Sequence, residues 1–332
     1  MNNTEVAFRS VFAAKLTAYI DEKQALGYRY MAAARLFKDF DNAMLRNNVE
    51  SDQLNEHAAA LWIAKRSGEK SNNQVSRISA MRVFAEYLRR HGEDAFMPAY
   101  PHQKDIQVYQ PYIFDKAEVK RIFAAADSFT YTKRSPLRHL TAPVITKTLY
   151  GTGMRISEVL NLKRKDVDLG QKSIMARDTK GGKERLLPIS ESLANVYQQY
   201  FSQLRFAPGD HLFLGLRGGV MDKGTYYHTF RLLLEKADIP HLGRGDGPRV
   251  HDFRHTFAVH RLNQWARENK DINAMLPILA VYLGHENVRI ASYYLRLTAQ
   301  VFPEVTAMVE RDFGEVIPDI IAKEREALHE YA

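Results

Sequence analysis

A proline-bearing stretch is the feature that most limits how this chain can fold. The segment EDAFMPAYPHQKDIQVYQPYIF holds Pro98, Pro101 and Pro111, and no apolar period survives across it. Proline lacks a backbone donor and disfavours a helical residue before it, so the stretch breaks regular structure. We interpret residues 96–114 as a linker between two domains, 1–95 and 115–300. A chain of 332 residues is long enough for two domains of ordinary size.

The residues before the linker are predicted to be helical. Apolar residues recur at helical spacing over about 6–26, 31–45 and 73–90, and a third helix, capped by Ser51 or Asp52, runs through 63. The helix over 73–90 interleaves arginines, Arg77 and Arg82 among them, with apolar residues. Its arginine face is either solvated or a DNA phosphate contact.

The residues after the linker mix helices with a hairpin. Asp115 and Glu118 form a capping-box pattern that starts the first helix. Two short strands, 172–177 and 184–189, flank a Gly-Gly turn. Further helices are predicted at about 140–150, 155–162, 191–204, 223–237, 251–267 and 274–283. The predicted fold class is therefore mainly α with a small β-sheet (α+β), followed by a helical tail over 301–332.

Charge and composition limit the partners. The formal net charge is +8 and the pI is about 9.4, which favours a polyanion, and nucleic acid before membrane. The chain has no cysteine, which excludes disulfides, thiolate nucleophiles and cysteine-ligated zinc. We see neither a secretory signal nor an apolar run of membrane-spanning length. A cytoplasmic protein without a membrane partner is expected.

Four segments of the second half carry the side chains of a candidate site. They are GTGMRISE (151–158), TKGGKER (179–185), RVHDFRHT (249–256) and LGH (283–285), and Tyr294 follows nine residues after the last histidine. Taken singly, each has an ordinary explanation. Arg155 can be a surface arginine paired with Glu158, and Lys180 can lie in a solvated turn. His251 and Arg254 share a helix face that can be a plain capped helix start.

A metal site is the weaker interpretation of the histidines. His251 and His255 are four residues apart and could chelate an ion, but HDFRH lacks the glutamate of the zinc-protease helix. No third ligand is evident from the sequence, so we expect neither a metal ion nor a cofactor.

Together the segments supply two guanidiniums, two imidazoles, an ammonium and a phenol, which suit phosphoryl transfer without a metal. Arginine forks match phosphodiester oxygens and can hold the transition-state charge that magnesium otherwise holds. A phenol, with an ordinary pKa of about 10, becomes a nucleophile once its proton is removed or shared.

These stretches resemble the tyrosine recombinase (phage integrase) family. TGMRISEVLNLKRKDVDL, TKGGKERLLPI, HDFRHTFAVHRL and LGHENVRIASYYL occur in the family's order and at its spacing. The first domain is similar to the family's SAM-like core-binding domain in helical pattern and position only. The resemblance implies a C-shaped clamp on DNA. It implies a site-specific recombinase of the integrase or transposase type, typical of mobile genetic elements.

The resemblance also implies roles. Tyr294 would attack the phosphorus and form a 3′-phosphotyrosyl link without metal or ATP, and Tyr293 would be a packing residue. The other catalytic residues would be the phosphate-clamping Arg155 and Arg254, the proton-transferring His251, the phosphate-bonding His285 and the general acid Lys180. Lys183 is the alternative general acid. Further DNA-contact candidates are Arg77, Arg82, Lys183 and Lys223.

The implied partner is double-stranded DNA with core sites in inverted repeat. The tail would dock into a neighbouring protomer and give a homotetramer on two sites, from a monomer or weak oligomer without DNA, in a prokaryotic nucleoid. The tail can instead pack on its own domain. Two other functions stay open: a type IB topoisomerase-like enzyme that relaxes supercoils, and an inactive relative that regulates by binding DNA.

Overall fold

The computed structural model describes residues 6–28, 30–100, 110–177, 184–207, 209–216, 218–241, 243, 247–284, 293–295, 297–298 and 301–302. Two compact units divide the chain, Met1–Tyr109 and Gln110–Ala332. The centre of the predicted linker (101–109) and the predicted tail from residue 303 lie outside the described residues. No helix of the described part is long and apolar enough to cross a membrane.

The N-terminal unit contains the four predicted helices. They are α1 (Ala13–Ala25), α2 (Met31–Arg46), α3 (Glu56–Ile63) and α4 (Ser71–Arg90). Their apolar faces enclose an aromatic core that includes Tyr19, Phe37, Trp62 and Phe84. Most of these rings meet edge-on or tilted, as Tyr19 and Phe84 do with centroids 5.3 Å apart, and Phe37 stacks on Trp62 at 6.0 Å, all in the range that aromatic pairs prefer.

Two helix starts differ from the predictions. α1 begins at Ala13 and not near residue 6. The cap predicted at Ser51 or Asp52 is wrong, because Asn55 caps α3 by accepting a hydrogen bond from the Ala58 amide at 2.9 Å. Asparagine is as good a cap as serine or aspartate, so the sequence pattern alone did not separate the three.

The prediction that Arg77 contacts DNA is wrong. The residue is 3% exposed, and its guanidinium donates to the carbonyls of Trp62 at 2.8 Å and Ala64 at 2.9 Å. Glu69 completes a buried ion pair with it. All of these partners belong to the same unit, so the guanidinium ties α3 to α4 and is not available to a phosphate.

The C-terminal unit contains seven of the described helices and a small sheet. The helices are α5 (Lys116–Asp127), α6 (Arg138–Thr152), α7 (Ile156–Leu160), α8 (Glu191–Gln203), α9 (Lys223–Lys236), α10 (Asp252–Arg267) and α11 (Ile272–Leu283). The strands are β1 (Val167–Asp168), β2 (Ser173–Ala176) and β3 (Arg185–Pro188), antiparallel in that order. The mainly helical fold with a small sheet is confirmed. β1 was not predicted, since two residues are too few to show a period.

The start of α5 confirms the predicted capping box. Asp115 accepts from the Glu118 amide at 2.7 Å, and the Glu118 side chain accepts from the Asp115 amide at 2.9 Å. Just before it, the Phe114 amide donates to the Thr256 hydroxyl at 3.1 Å, and the Phe114 ring stacks on Phe253 at 5.2 Å. These contacts fix the beginning of the unit on α10.

The buried helix α6 organises the unit and ends at the candidate site. It packs against α5, α8 and α10. Its inward threonines bond to buried phenols, with Thr146 2.9 Å from Tyr226 and Thr148 2.8 Å from Tyr197. Hydroxyl pairs of this kind satisfy polar groups inside an apolar core. The end of α6 therefore has a fixed position relative to α10.

Candidate active site

The turn after α6 is built around Gly153. Its φ is +61°, a left-handed conformation that glycine adopts without strain. A Cβ at this position would lie 2.7 Å from the Phe257 ring and 2.9 Å from Leu283, so a larger residue would displace α10 or α11. The turn also has a polar contact, because the buried Gly153 carbonyl accepts a hydrogen bond from Arg254 at 2.9 Å.

Arg155 stands immediately before α7 and is paired with Glu158. Its Nη1 donates to Glu158 Oε1 at 2.8 Å, and its backbone amide donates to Glu158 Oε2 at 2.9 Å. The pairing considered from sequence is present, but Glu158 is buried, with 3% of its side chain exposed against 24% for Arg155. Burial alone would raise the pKa of Glu158. Hydrogen bonds and charge from Arg185 and Arg155 outweigh burial and hold that pKa below its ordinary value.

Arg254 lies on the first turn of α10 and is 1% exposed. Its Nη1 and Nη2 donate to the carbonyls of Gly153 at 2.9 Å and Leu283 at 2.6 Å. Burial lowers its pKa to about 10, Arg155 adds repulsion, and Tyr294 and Glu158 offset part of the effect. The guanidinium remains charged at neutral pH, in a place where the charge is poorly hydrated.

His251 sits at the N-terminal end of α10 and is exposed to solvent. Loss of hydration lowers its pKa to about 4, together with the positive charges of Arg254 and Arg155. Because the residue as a whole keeps its contact with solvent, the repulsion from the two guanidiniums is the cause that the geometry supports best. Either cause leaves a neutral imidazole at pH 7, which can accept a proton.

His255 links His251 to the tyrosines. Its ring centroid lies 5.0 Å from that of His251 and 5.6 Å from that of Tyr294. In the described part of the chain, no group of three or more His, Cys, Asp or Glu side chains could hold a metal ion.

The two adjacent tyrosines have different environments. Tyr294 is 2% exposed and receives a hydrogen bond from the Arg254 guanidinium. Burial raises its pKa, while Arg254 and Arg155 act in the opposite direction. Tyr293 is partly buried and packs beside it, with ring centroids 5.9 Å apart. The structure therefore brings the buried phenol of Tyr294 to the guanidinium of Arg254.

The structure brings four of the predicted site residues together. Arg155 and Arg254 lie close enough to His251 and Tyr294 to shift the pKa values of both. Lys180, Lys183 and His285 lie outside the described residues. Arg82 donates to the Pro98 carbonyl and lies 4.9 Å over the Tyr100 ring. Lys223 is exposed on the first turn of α9.

Arg185 is a site residue that the sequence interpretation missed. It donates to Glu158 at 2.8 Å and to the Tyr282 carbonyl at 2.9 Å. A signal was present, because Arg185 shares a strand face with the buried Leu187, and a charge on a core-facing position implies a buried partner.

Residues 113–300 match the model of the phage integrase family. The chain belongs to the phage integrase family. It is 30% identical over 91% of its length to y4rB, a predicted integrase/recombinase of Sinorhizobium fredii (strain NBRC 101917 / NGR234), and covers 98% of that protein. It is 28% identical to the tyrosine recombinase XerC of Staphylococcus aureus (strain JH9), over 72% of this chain and 75% of XerC.

Solved structures of this family share the fold. The Tn1549 transposon integrase, in complex with transposon right end DNA, superposes with a TM-score of 0.61 at 17% identity, covering 90% of this chain and 98% of that one. A lambda integrase dimer bound to a core site gives 0.60 at 15% identity, covering 85% and 76%. Family membership assigns this phage integrase relative to the site-specific DNA recombinases, which break and rejoin DNA strands.

Proposed function

We propose that Tyr294 is the nucleophile of this recombinase and forms the 3′-phosphotyrosyl intermediate, without metal or ATP. Arg155 and Arg254 hold the scissile phosphate, His251 accepts a proton, and His285 bonds the phosphate. Lys180 protonates the leaving 5′ oxygen, with Lys183 as the alternative. The bond between tyrosine and phosphate replaces the bond between phosphate and the 5′ oxygen, so a second 5′ hydroxyl can reverse the step and exchange strands.

The hydrogen bond between Arg254 and the Tyr294 phenol carries this proposal. A guanidinium that contacts both the nucleophile and the phosphate stabilises the phenolate and the negative charge of the transition state. Burial alone would make the Tyr294 phenol a weaker acid, so the arginines are needed to offset the rise in its pKa. The neutral His251 beside them can take the phenolic proton.

The experiment uses a nicked suicide duplex that carries the recombinase's own site, taken from the DNA around its gene. Wild-type protein should form a covalent protein–DNA adduct, seen as a slow band on a denaturing gel. Tyr294→Phe should bind the duplex and form no adduct, because it lacks the attacking oxygen. Tyr293→Phe is the matched control and should still form it.

An adduct from Tyr294→Phe, or none from wild type, would overturn the proposal. The second outcome would favour an inactive DNA-binding relative. Exchange of strands between two marked sites, as opposed to relaxation of a supercoiled plasmid, separates a recombinase from a topoisomerase-like enzyme.

We propose further that the N-terminal helices bind core DNA and that the protein assembles as a tetramer on two cytoplasmic DNA sites, through its tail. A groove of 750 Å³ on the C-terminal unit is the candidate acceptor. Basic and apolar side chains line it, including His260, Arg261, Trp265, Arg267, Ile278 and Leu279. Residues 303–332 carry eight Asp or Glu and three Lys or Arg, so the charges of tail and groove are complementary.

The tail proposal is tested with a chain that ends at Phe302. It should still bind a single duplex but fail to join two duplexes in one complex, as measured by sedimentation. Full-length Arg261→Glu/Arg267→Glu is the matched variant and should fail in the same way, since it reverses the charge of the groove. If both variants join duplexes as well as wild type, the tail does not mediate assembly.

A further inference from the structure

Arg185 is the first residue of β3. It pairs with Ala176 of β2, and only 11% of its side chain is exposed. Its guanidinium spans two elements, donating to Glu158 on α7 and to the last turn of α11. The position therefore connects the strand that follows the predicted general acid to the helix that follows Arg155.

The Glu158 carboxylate is shared by two arginines. Oε1 accepts from Arg155 at 2.8 Å and from Arg185 at 3.3 Å, and Oε2 accepts from Arg185 at 2.8 Å. A buried carboxylate that loses its cationic partner is strongly destabilised. Glu158 therefore needs at least one guanidinium beside it in every state of the site.

Phosphate binding sets up a competition for Arg155. A carboxylate and a phosphodiester both fit the same arginine fork, and the resting guanidinium of Arg155 is bonded to Glu158. If Arg155 were the sole cation at Glu158, its departure would leave a buried charge without a partner. Arg185 is more buried than Arg155, at 11% against 24%, and is the better placed of the two to remain.

Resting on the proposed role of Arg155, we propose that Arg185 is a positioning residue for strand cleavage: it stays on Glu158 as the permanent countercharge, which lets Arg155 turn to the scissile phosphate. The same guanidinium also contacts the backbone at the end of α11, just before His285 in the sequence. Its Nε holds the Tyr282 carbonyl at 2.9 Å, and a Cβ on Gly284 would lie 2.9 Å from its Nη1. A cation at the end of α11 also complements the helix dipole.

The first test measures single-turnover adduct formation at saturating suicide duplex, at a temperature where circular dichroism shows every variant folded. Arg185→Met should react about 10 to 100 times more slowly than wild type, the cost of misplacing a reacting group. Arg185→Lys keeps the charge and should recover most of the rate. The double variant Arg185→Met/Glu158→Gln should be faster than Arg185→Met, because a neutral amide no longer competes for Arg155.

The second test replaces the scissile phosphate with a methylphosphonate, which lacks the negative oxygen that Arg155 is proposed to hold. Arg155→Met is the reference, and its deficit relative to wild type should shrink on this duplex. Arg185→Met should show the same shrinkage, because its defect lies in the availability of Arg155. A purely structural role would slow both duplexes equally.

The outcomes distinguish a failure of the positioning role of Arg185 from a failure of the proposed function. If Arg185→Met matches wild type, or if its deficit is the same on both duplexes, the positioning role is wrong. If wild type forms no adduct, or if Arg155→Met cleaves at the wild-type rate, the proposed function fails at its own step.

Discussion

Each compact unit of this recombinase buries an arginine, and the two arginines are stabilised in different ways. Arg77 in α4 and Arg254 in α10 are 3% and 1% exposed, and each donates to two backbone carbonyls. Arg77 adds a buried carboxylate, Glu69, in direct contact. Arg254 adds the phenol of Tyr294, which is neutral until it loses its proton.

The difference separates a charge that is neutralised within the fold from the charge that is proposed to act on the phosphate. The hydrogen bond from Arg77 lowers the pKa of Glu69, so the pair is complete within the N-terminal unit. At Arg254, burial and the repulsion from Arg155 lower the pKa to about 10, and attraction from Tyr294 and Glu158 offsets only part of this. Positive charge held in a poorly hydrated place suits an anionic ligand, which fits the role proposed for Arg254.

The largest effect is expected from Arg254→Met. Loss of one donor to the transition state slows a reaction by roughly 100 to 1,000 times, so adduct formation on the suicide duplex should fall by that factor. The free energy of unfolding, from urea titration, should fall less than in Arg77→Met, because each substitution removes the donor from two buried carbonyls but only Arg77→Met also leaves a buried carboxylate without its cation. Cleavage at the wild-type rate would remove Arg254 from the site.

Arg77→Met is the mirror-image control. It leaves Glu69 buried without its partner, which should cost about 3–5 kcal/mol of unfolding free energy. The adduct-forming rate of the folded protein at saturating DNA should be unchanged. If Arg77→Met slowed cleavage without destabilising the fold, the assignment of Arg77 to the fold and of Arg254 to cleavage would be wrong.

The smallest effect concerns pH and His251. Its folded pKa of about 4 lies below the ordinary value of about 6.5, so the unfolded chain binds more protons between these limits. The free energy of unfolding should therefore fall as pH drops from 6.5 to 4, and stay level above 6.5 as far as this group is concerned. His251→Gln should show a shallower fall in the same window. Equal slopes for both proteins would mean that the folded structure does not lower the pKa of this ring.

The parts of the fold that depend on neighbouring residues could be predicted from the sequence. The period of apolar residues located the four N-terminal helices, and Asp115 with Glu118 located the start of α5, because helices and caps are short-range patterns. The site motifs likewise stand together in sequence, so Arg155, His251, Arg254 and Tyr294 could be selected as candidates before any geometry was available. The strand β1 was missed because two residues are too few to show a period, and the cap at Asn55 was missed because several residues satisfied the same local rule.

The sequence by itself determined the class of this protein, since the identity and order of its arginines, histidines and tyrosine define a phage integrase relative. Only the tertiary structure decided which charged side chains are neutralised by partners inside the fold. Arg77 and Arg254 look alike in sequence, as arginines on amphipathic helices. Glu69 forms an ion pair with Arg77. Arg254 instead contacts the carbonyls of Gly153 and Leu283 and the phenol of Tyr294. Arg185 became visible for the same reason: its partners are 27 and 97 residues away along the chain, and no local pattern reports contacts at that distance.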